Sequence, residues 1–157
     1  MEAKPTKTTR RERFLRYAPL FLWIALILYL SGSGGSFGTT SRFIGPLLTL
    51  LMPGASAETL EFYHGILRKL AHPTIYAILA FWAARAFAGS SVRRLREWPL
   101  VAAFILVMTV SIIDELNQSF LSSRTGSASD VGLDLAGAVV MLSFIWFVRA
   151  VPRNLKR

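Results

Sequence analysis

Ionisable side chains gather in one stretch, residues 111–137, which joins two strongly apolar segments. Four of the nine acidic residues of the protein lie in it: Asp114, Glu115, Asp130 and Asp134. Because carboxylates at the edge of hydrocarbon cost free energy, they commonly mark positions that have a function. The same stretch contains Gln118 and Arg124, which add hydrogen-bonding and positive groups.

Helical spacing places these side chains on shared faces. Asp114 and Gln118 are four residues apart, as are Asp130 and Asp134 in the following segment. An earlier segment carries three more polar groups at three- and four-residue steps: Lys69, His72 and Tyr76. We therefore expect polar groups from separate helices to meet in one cluster.

Two kinds of chemistry involve the carboxylates of this cluster. A histidine beside a buried carboxylate suits general acid–base catalysis, for which His72, Glu115 and Asp114 are the predicted catalytic residues. Carboxylate oxygens also suit a hard divalent cation, for which Asp114, Asp130 and Asp134 are the predicted ligands. The residue types do not choose between an acid–base site and a metal site.

The other members of the cluster suit recognition of an anionic group. Lys69 and Arg124 are the predicted partners of a phosphate or carboxylate, with Tyr76 and Gln118 as further substrate-binding groups. The structural alternative is a polar network that holds short helices together, at about 0.6 kcal/mol per contact. His64 is predicted to be an interfacial surface residue outside the cluster.

The composition favours a membrane as the solvent. Hydrophobic residues make up 53% of the chain and the mean hydropathy is +0.45, more than a soluble core of this size needs. There is no cysteine, which excludes a disulfide framework and a thiolate metal site. The net charge of +9 lies beside apolar runs, so we expect anionic lipid, and no nucleic acid, as its partner.

The apolar segments predict an all-α integral membrane bundle of four transmembrane helices. The predicted spans are residues 17–30, 73–89, 99–113 and a last segment that ends near 148. A secretory signal peptide is the alternative for the first of them. Residues 43–52 are apolar but too short to span, so they predict an interfacial or a re-entrant segment, and we expect an additional short interfacial helix before the second span.

Local signals refine two of these helices. Residues 58–71 have helical spacing, and Pro73 then either begins a new helix or kinks a continuous one. Ser127 with Asp130 three residues later resembles a capping box, which should start the fourth helix. Gly132 and Gly137 are predicted to let a neighbouring helix approach closely.

The positive charges predict an orientation in which both termini are cytoplasmic. With the N-terminus inside, fourteen of the eighteen Lys and Arg residues lie on the cytoplasmic side and four lie outside. Six of the nine acidic residues then lie outside. The polar stretch at 111–137 is therefore expected to face outward.

At these residues the chain resembles the VanZ-like family. The resemblance is carried by Arg68-Lys69-Leu70-Ala71-His72 with Tyr76, by Asp114-Glu115-Leu116-Asn117-Gln118, and by Arg124 with Asp130 and the glycine at 137. It implies a small multi-pass protein of the bacterial cytoplasmic membrane. The family's usual positions correspond to Lys69, His72, Tyr76, Asp114, Glu115, Gln118, Arg124 and Asp130. It also implies three regions: a basic cytoplasmic arm at 1–16, a membrane domain at 17–149 with its motif core at 58–137, and a basic cytoplasmic tail at 150–157.

Two positions depart from the pattern of similar proteins. Pro73 stands where a large apolar or aromatic residue is common, and Asp134 stands where asparagine is usual. The aspartate at position 134 adds a negative charge, which would alter the charge balance or the metal preference of a site.

Two functions follow as hypotheses. In the first, the outward cluster binds or modifies a lipid-linked or peptidoglycan-related group of the cell envelope, and the family's namesake links this to resistance to the glycopeptide teicoplanin. In the second, the chain is a non-enzymatic scaffold or transporter-like module whose polar cluster is structural.

Overall fold

The computed structural model describes residues 9–120 and 127–150, and these residues form an all-helical bundle. The all-α prediction is confirmed for this part of the chain. A short 3-10 turn, Ser33–Gly35, separates the first two of six α-helices: α1 Arg10–Ser31, α2 Phe37–Leu51, α3 Ala57–Ala88, α4 Arg93–Glu97, α5 Pro99–Ser119 and α6 Ala128–Ala150.

Hydroxyl side chains begin the first three helices. Thr9 and Glu12 form a reciprocal capping box at α1, in which each side chain accepts from the other's backbone N–H. Ser36 and Ser56 accept a backbone N–H in the first turns of α2 and α3. Pro99 occupies the start of α5, where its missing N–H costs nothing.

The longest helix, α3, forms the centre of the bundle. It continues through Pro73 over 32 residues and packs against α1, α2, α5 and α6. Of the two alternatives for Pro73, a single continuous helix is therefore correct. Small side chains let its neighbours approach closely, because four of its buried residues are alanines: Ala80, Ala83, Ala84 and Ala86.

Three helices in the described part of the chain are long and apolar enough to cross a membrane. They are α1, α5 and α6, and α5 extends one and a half turns beyond the predicted end at residue 113. Large apolar side chains on their outer faces are exposed, among them Leu22, Ile105 and Phe144. Such a belt is expected where lipid, and not water, surrounds a bundle.

The two shorter helices lie in segments that connect the long ones. Helix α2 occurs where the sequence predicts a short helix before the second span, and it packs on α3 and the 3-10 turn. The turn after it needs Gly54, whose φ of 88° is unfavourable for other residues. Helix α4 forms within the basic loop that precedes α5.

A hydrogen bond ties the start of α1 to the end of α3. The Tyr17 hydroxyl donates to Ser90 Oγ at 2.8 Å, and Ser90 is buried. We expect Tyr17→Phe to lower the free energy of unfolding by about 1 kcal/mol, because Ser90 loses this partner. Thermal melting in detergent measures the effect, and Tyr29→Phe on the same helix is the control because Tyr29 is 68% exposed. Equal melting temperatures for both variants would contradict the prediction.

Candidate functional site

The predicted polar cluster lies at one end of the bundle, where α1 and α5 end, α6 begins and α3 passes between them. Helices α3, α5 and α6 contribute its side chains. The sequence places these groups correctly on three separate helices because the helical periods of α3, α5 and α6 are unbroken there.

Asp114 of α5 is the centre of the first hydrogen-bond network. Its Oδ2 accepts from the Tyr76 hydroxyl at 2.8 Å and its Oδ1 accepts from Gln118 Nε2 at 2.8 Å. Tyr76 and Asp114 are 1% and 4% exposed. The Ser31 hydroxyl donates to the Asp114 carbonyl at 3.2 Å and accepts from Asn117, so α1, α3 and α5 are joined at this point.

Asp134 of α6 is the centre of the second network. Its Oδ1 lies 3.2 Å from Nδ1 of His72, and its Oδ2 accepts from the Ser111 hydroxyl at 2.7 Å. Because a carboxylate only accepts, the Nδ1–H of His72 donates and the ring is held by Asp134. In the described part of the chain Nε2 of His72 has no hydrogen-bond partner.

This network depends on a close approach of the backbones of α3 and α6. A Cβ atom at position 137 would overlap the backbone of Pro73, whereas a Cβ at position 132 would meet nothing within 4 Å. The predicted close approach is therefore correct for Gly137 and wrong for Gly132. Gly137 brings Asp134, one turn away on α6, within reach of His72 on α3.

Two carboxylates and a histidine of the cluster lie close enough together to hold a cation. His72, Asp114 and Asp134 each offer a ligand atom, and these atoms lie within 4.8 Å of one another. Each oxygen of both aspartates already accepts a hydrogen bond. Each of these oxygens keeps a second lone pair, so the hydrogen bonds do not exclude a cation, and the grouping includes His72 in place of the predicted Asp130.

Glu115 lies beside the start of α6 and does not contact His72 in a hydrogen bond. Its Oε1 accepts from the backbone N–H of Ser127, the residue that precedes α6. The predicted capping box does not form, because Glu115 of α5, and not Asp130, accepts from the Ser127 N–H. The Ser127 hydroxyl still caps α6, since it accepts from the N–H of Ser129. Oε2 of Glu115 is buried and has no hydrogen-bond partner among the described residues.

The remaining predicted residues lie at the edge of the cluster or beyond the described residues. Asp130 is half-buried in the first turn of α6. Lys69 is exposed on α3 and does not line the cavity described next. Arg124 lies outside the described residues.

A cavity of about 120 Å³ opens beside the first network. Its lining combines apolar side chains of α1 and α3 with polar groups of α1, α2, α3 and α5. The lining residues are Ile27, Leu30, Ser31, Gly35, Thr40, Arg68, Ala71, His72, Ile75, Tyr76, Asp114 and Gln118. Four predicted residues therefore share one cavity: His72, Tyr76, Asp114 and Gln118.

Arg68 is the cation that lines this cavity, a position that is not among the predicted site residues. Its Nη1 donates to the Gly35 carbonyl at 2.8 Å and to the Thr40 hydroxyl at 3.2 Å. The spacing carried the signal, because Arg68, His72 and Tyr76 follow one another at four-residue steps on one face. Lys69, one residue later, points to a different side of α3.

His64, which lies four residues before Arg68 on α3, joins α2 to α3. Its Nε2 lies 3.1 Å from the Thr40 hydroxyl, and its ring lies 4.3 Å from that of Phe37 between centroids. His64 is buried, so the prediction of a surface residue is wrong. Burial lowers the pKa of His64, and the charge of Arg68 lowers it further.

Comparison with known proteins gives one family. A family model described as VanZ/LLP1 matches residues 16–149, which covers the bundle and the whole of the described cluster. No curated protein and no solved structure gives a match.

Proposed function

Because the chain belongs to the VanZ/LLP1 family, we propose that it is a multi-pass protein of the bacterial cytoplasmic membrane that binds an anionic group of the cell envelope. The observation that carries the proposal is the cavity lined by Arg68, His72 and Asp114 together with apolar side chains of α1 and α3. An anionic group on a hydrophobic carrier requires that combination. The group is lipid-linked or related to peptidoglycan.

In this proposal α3 also crosses the membrane, so that α1, α3, α5 and α6 are the four spans. Residues 70–88 rise about 28 Å, close to the roughly 30 Å of a hydrocarbon core. Residues 70–88 contain one Lys, Arg, Asp or Glu residue, Arg85, and the helix packs against α1, α5 and α6. A span covered by other helices exposes little surface to lipid and needs fewer large apolar side chains than an outer one.

The proposed orientation places both termini in the cytoplasm and the cavity at the outer surface. It is supported by the excess of Lys and Arg at the two termini and in the loop between α3 and α5. In this arrangement α2 lies at the outer membrane–water interface, where its exposed Phe43 and Leu50 contact lipid. The basic arm and tail then face anionic cytoplasmic lipid.

His72 is the proposed acid–base group. A histidine held through Nδ1 by a carboxylate presents Nε2 in a fixed position, and this arrangement serves proton transfer in many hydrolytic sites. Here Asp134 holds the ring and the cavity receives it. Glu115 is proposed to position α6 through Ser127.

A resistance assay tests the proposed function in cells. We expect expression of the protein to raise the teicoplanin concentration that a susceptible bacterium survives, and His72→Ala to return it to that of cells without the protein. Glu115→Gln keeps an oxygen that can accept from Ser127, so we expect it to retain most of the resistance. Growth inhibition is measured at equal membrane abundance of each variant.

The two variants together decide whether the site matters. Unchanged resistance in both variants, at wild-type abundance, would show that the function does not depend on the cluster. Loss of resistance in Glu115→Gln alone would move the acid–base role from His72 to Glu115.

One observation favours the second candidate, a non-enzymatic scaffold. Both oxygens of Asp114 and both of Asp134 are hydrogen-bonded within the protein, as expected of a network whose purpose is to join helices. The scaffold hypothesis predicts that variants of the network fail by losing stability, and a stable but inactive variant would contradict it.

A further inference from the structure

We propose that His72, Asp114 and Asp134 form a binding site for a divalent transition-metal cation, Mn²⁺ or Zn²⁺, with a position open to the neighbouring cavity. The three residues lie on α3, α5 and α6, and each offers one ligand atom. These atoms lie within 4.8 Å of one another. The inference goes beyond the proposed function, because it concerns an ion held by the protein and not the envelope group that the protein binds.

The spacing of the ligand atoms fits a single ion. Ligands about 2.1 Å from a metal ion are roughly 3.0–3.4 Å apart when adjacent and about 4.2 Å apart when opposite. Nδ1 of His72 and Oδ1 of Asp134 are 3.2 Å apart, which is the separation of adjacent ligands. An ion between them takes the place of the proton on Nδ1, because a nitrogen that binds a metal carries no proton. The neutral ring then carries its proton on Nε2.

Hydrogen bonds already hold both carboxylates at the site. Asp114 accepts from Tyr76 and from Gln118, each at 2.8 Å, and Asp134 accepts from Ser111 at 2.7 Å. Each of these oxygens keeps a second lone pair for a metal ion. Carboxylates that bind metals are commonly hydrogen-bonded in this way, because the donors orient them before the ion arrives. The site therefore needs little rearrangement to bind.

The burial of the two carboxylates also favours an ion between them. Asp114 and Asp134 are 4% and 1% exposed. Buried carboxylates close to one another repel, and water does not screen the repulsion. A divalent cation that touches both turns this repulsion into attraction, which is why buried charges in proteins are paired or coordinate metals.

Glu115 provides a second observation that points to a ligand at this place. It lies one turn from Ser111 on the same face of α5, close enough to His72 and Asp114 for their charges to interact. Glu115 is 9% exposed, and its Oε2 has no hydrogen-bond partner among the described residues. A water molecule bound to the cation is a donor of the kind that this oxygen lacks. We expect Oε2 to accept from that water while Oε1 keeps its bond to Ser127.

The ligand types select the class of metal. Mg²⁺ and Ca²⁺ prefer oxygen ligands throughout, whereas imidazole suits Zn²⁺ and carboxylates suit Mn²⁺. One histidine with two aspartates therefore favours Mn²⁺ or Zn²⁺. Three protein ligands leave a position for water or for an oxygen of a bound anion, as in catalytic metal sites. The cavity that His72 and Asp114 line gives access to this position.

A bound cation changes the part that His72 plays in the proposed function. With the ion present His72 is a ligand, and the water on the ion becomes the group that exchanges protons, since a metal ion makes its water a better proton donor. The class of the bound group stays the same, because a cation beside the cavity attracts an anion. The metal site and the binding of an envelope group can therefore fail separately.

Metal binding to the purified full-length protein, without a histidine tag, tests the inference. After treatment with a chelator we expect the protein in detergent to bind one Mn²⁺ per chain, counted by the electron paramagnetic resonance signal of free Mn²⁺. Mn²⁺ and Zn²⁺ should raise the melting temperature more than equal concentrations of Mg²⁺ or Ca²⁺, because an ion that binds only the folded state stabilises it. Equal stabilisation by all four ions, or none by any, would overturn the proposal.

Matched variants of α6 locate the ion. We expect Asp134→Asn to weaken Mn²⁺ binding at least about tenfold, since loss of even a hydrogen-bond partner of a ligand costs roughly that much. Asp130→Asn is the control, because it removes a carboxylate one turn away on the same helix that is not among the three ligands. A larger loss of affinity in Asp130→Asn than in Asp134→Asn would refute the assignment of the ligands.

A spectroscopic measurement covers the case in which Asp134→Asn loosens α6. The chain has two histidines, His64 and His72, so a nitrogen coupling in the pulsed electron paramagnetic resonance spectrum of bound Mn²⁺ comes from one of them. We expect the coupling in the wild type and in His64→Gln, and its loss in His72→Gln. Bound Mn²⁺ without a nitrogen coupling in the wild type would also refute the site. The resistance assay with His72→Ala and Glu115→Gln decides separately on the proposed function.

Discussion

Replacing Gly137 by alanine is expected to prevent the protein from accumulating in membranes, whereas the same replacement at Gly132 is expected to be tolerated. The new Cβ at position 137 would overlap the backbone carbonyl of Pro73, and backbone atoms in two packed helices cannot move aside as a flexible side chain can. Position 132 has nothing within 4 Å of a Cβ. Both residues lie on α6, so helix propensity affects the two variants equally.

The expected effect at position 137 is large on the scale of protein stability. Overpacking a core typically costs about 1–3 kcal/mol, and overlap with backbone belongs at or above the upper end of that range. The gain of about 1 kcal/mol in helix propensity from glycine to alanine does not offset it. An alanine at position 132 has no steric cost and keeps the gain in helix propensity, so that variant should be slightly more stable than the wild type.

Melting temperature in detergent and abundance in membranes measure both variants. We expect Gly137→Ala to melt on the order of 10 °C below the wild type, or to be degraded before purification. An equal melting temperature for the two variants would show that α3 and α6 do not approach at Gly137 and would remove the basis for the contact between His72 and Asp134.

The fold is largely predictable because its determinants are local. Caps such as Thr9 and Ser127, the apolar runs and the Pro53-Gly54 turn act within a few residues of themselves. The sequence does not decide whether α3 continues through Pro73, since a proline removes one helical hydrogen bond and packing on both sides of it decides whether the helix continues. The packing is supplied by α6, whose Gly137 meets Pro73.

The sequence predicts which residues gather at the site but not which of them are hydrogen-bonded to each other. Helical spacing brings His72, Tyr76 and Asp114 to one end of the bundle, and the structure places all three around one cavity. Spacing along each helix does not fix which helices face one another, so the sequence groups His72 with Glu115 and Asp114, whereas in the structure its hydrogen-bond partner is Asp134. The roles of these residues stay predictions.

The sequence also does not show which of two neighbouring basic residues lines the cavity. Arg68 and Lys69 are adjacent and both are basic, and a shift of one residue turns a helical side chain through about 100°. Only the position of the 3-10 turn and α2, whose Gly35 and Thr40 accept from Arg68, shows which of the two basic residues faces the cavity. That contact joins residues more than twenty positions apart, and no local pattern encodes it.

Replacing Asp114 by leucine is expected to destabilise the bundle strongly. The leucine leaves two buried donors, the Tyr76 hydroxyl and the Gln118 amide, without their acceptor. Each orphaned group costs about 1–3 kcal/mol, so the free energy of unfolding should fall by about 2–6 kcal/mol. The contact of Ser31 with the Asp114 carbonyl involves backbone and is retained. Thermal melting in detergent measures the loss.

The matched variant Asp114→Asn separates the two functional hypotheses. Asparagine keeps the shape and one acceptor oxygen, and the Tyr76 hydroxyl can accept from its amide, so we expect a loss within about 1 kcal/mol. A scaffold whose network only joins helices would therefore retain its function in Asp114→Asn and lose it in Asp114→Leu. If the carboxylate acts on a bound group, Asp114→Asn melts near the wild type and fails in the resistance assay. A variant that is stable and inactive would exclude the scaffold, because its helices would still be joined.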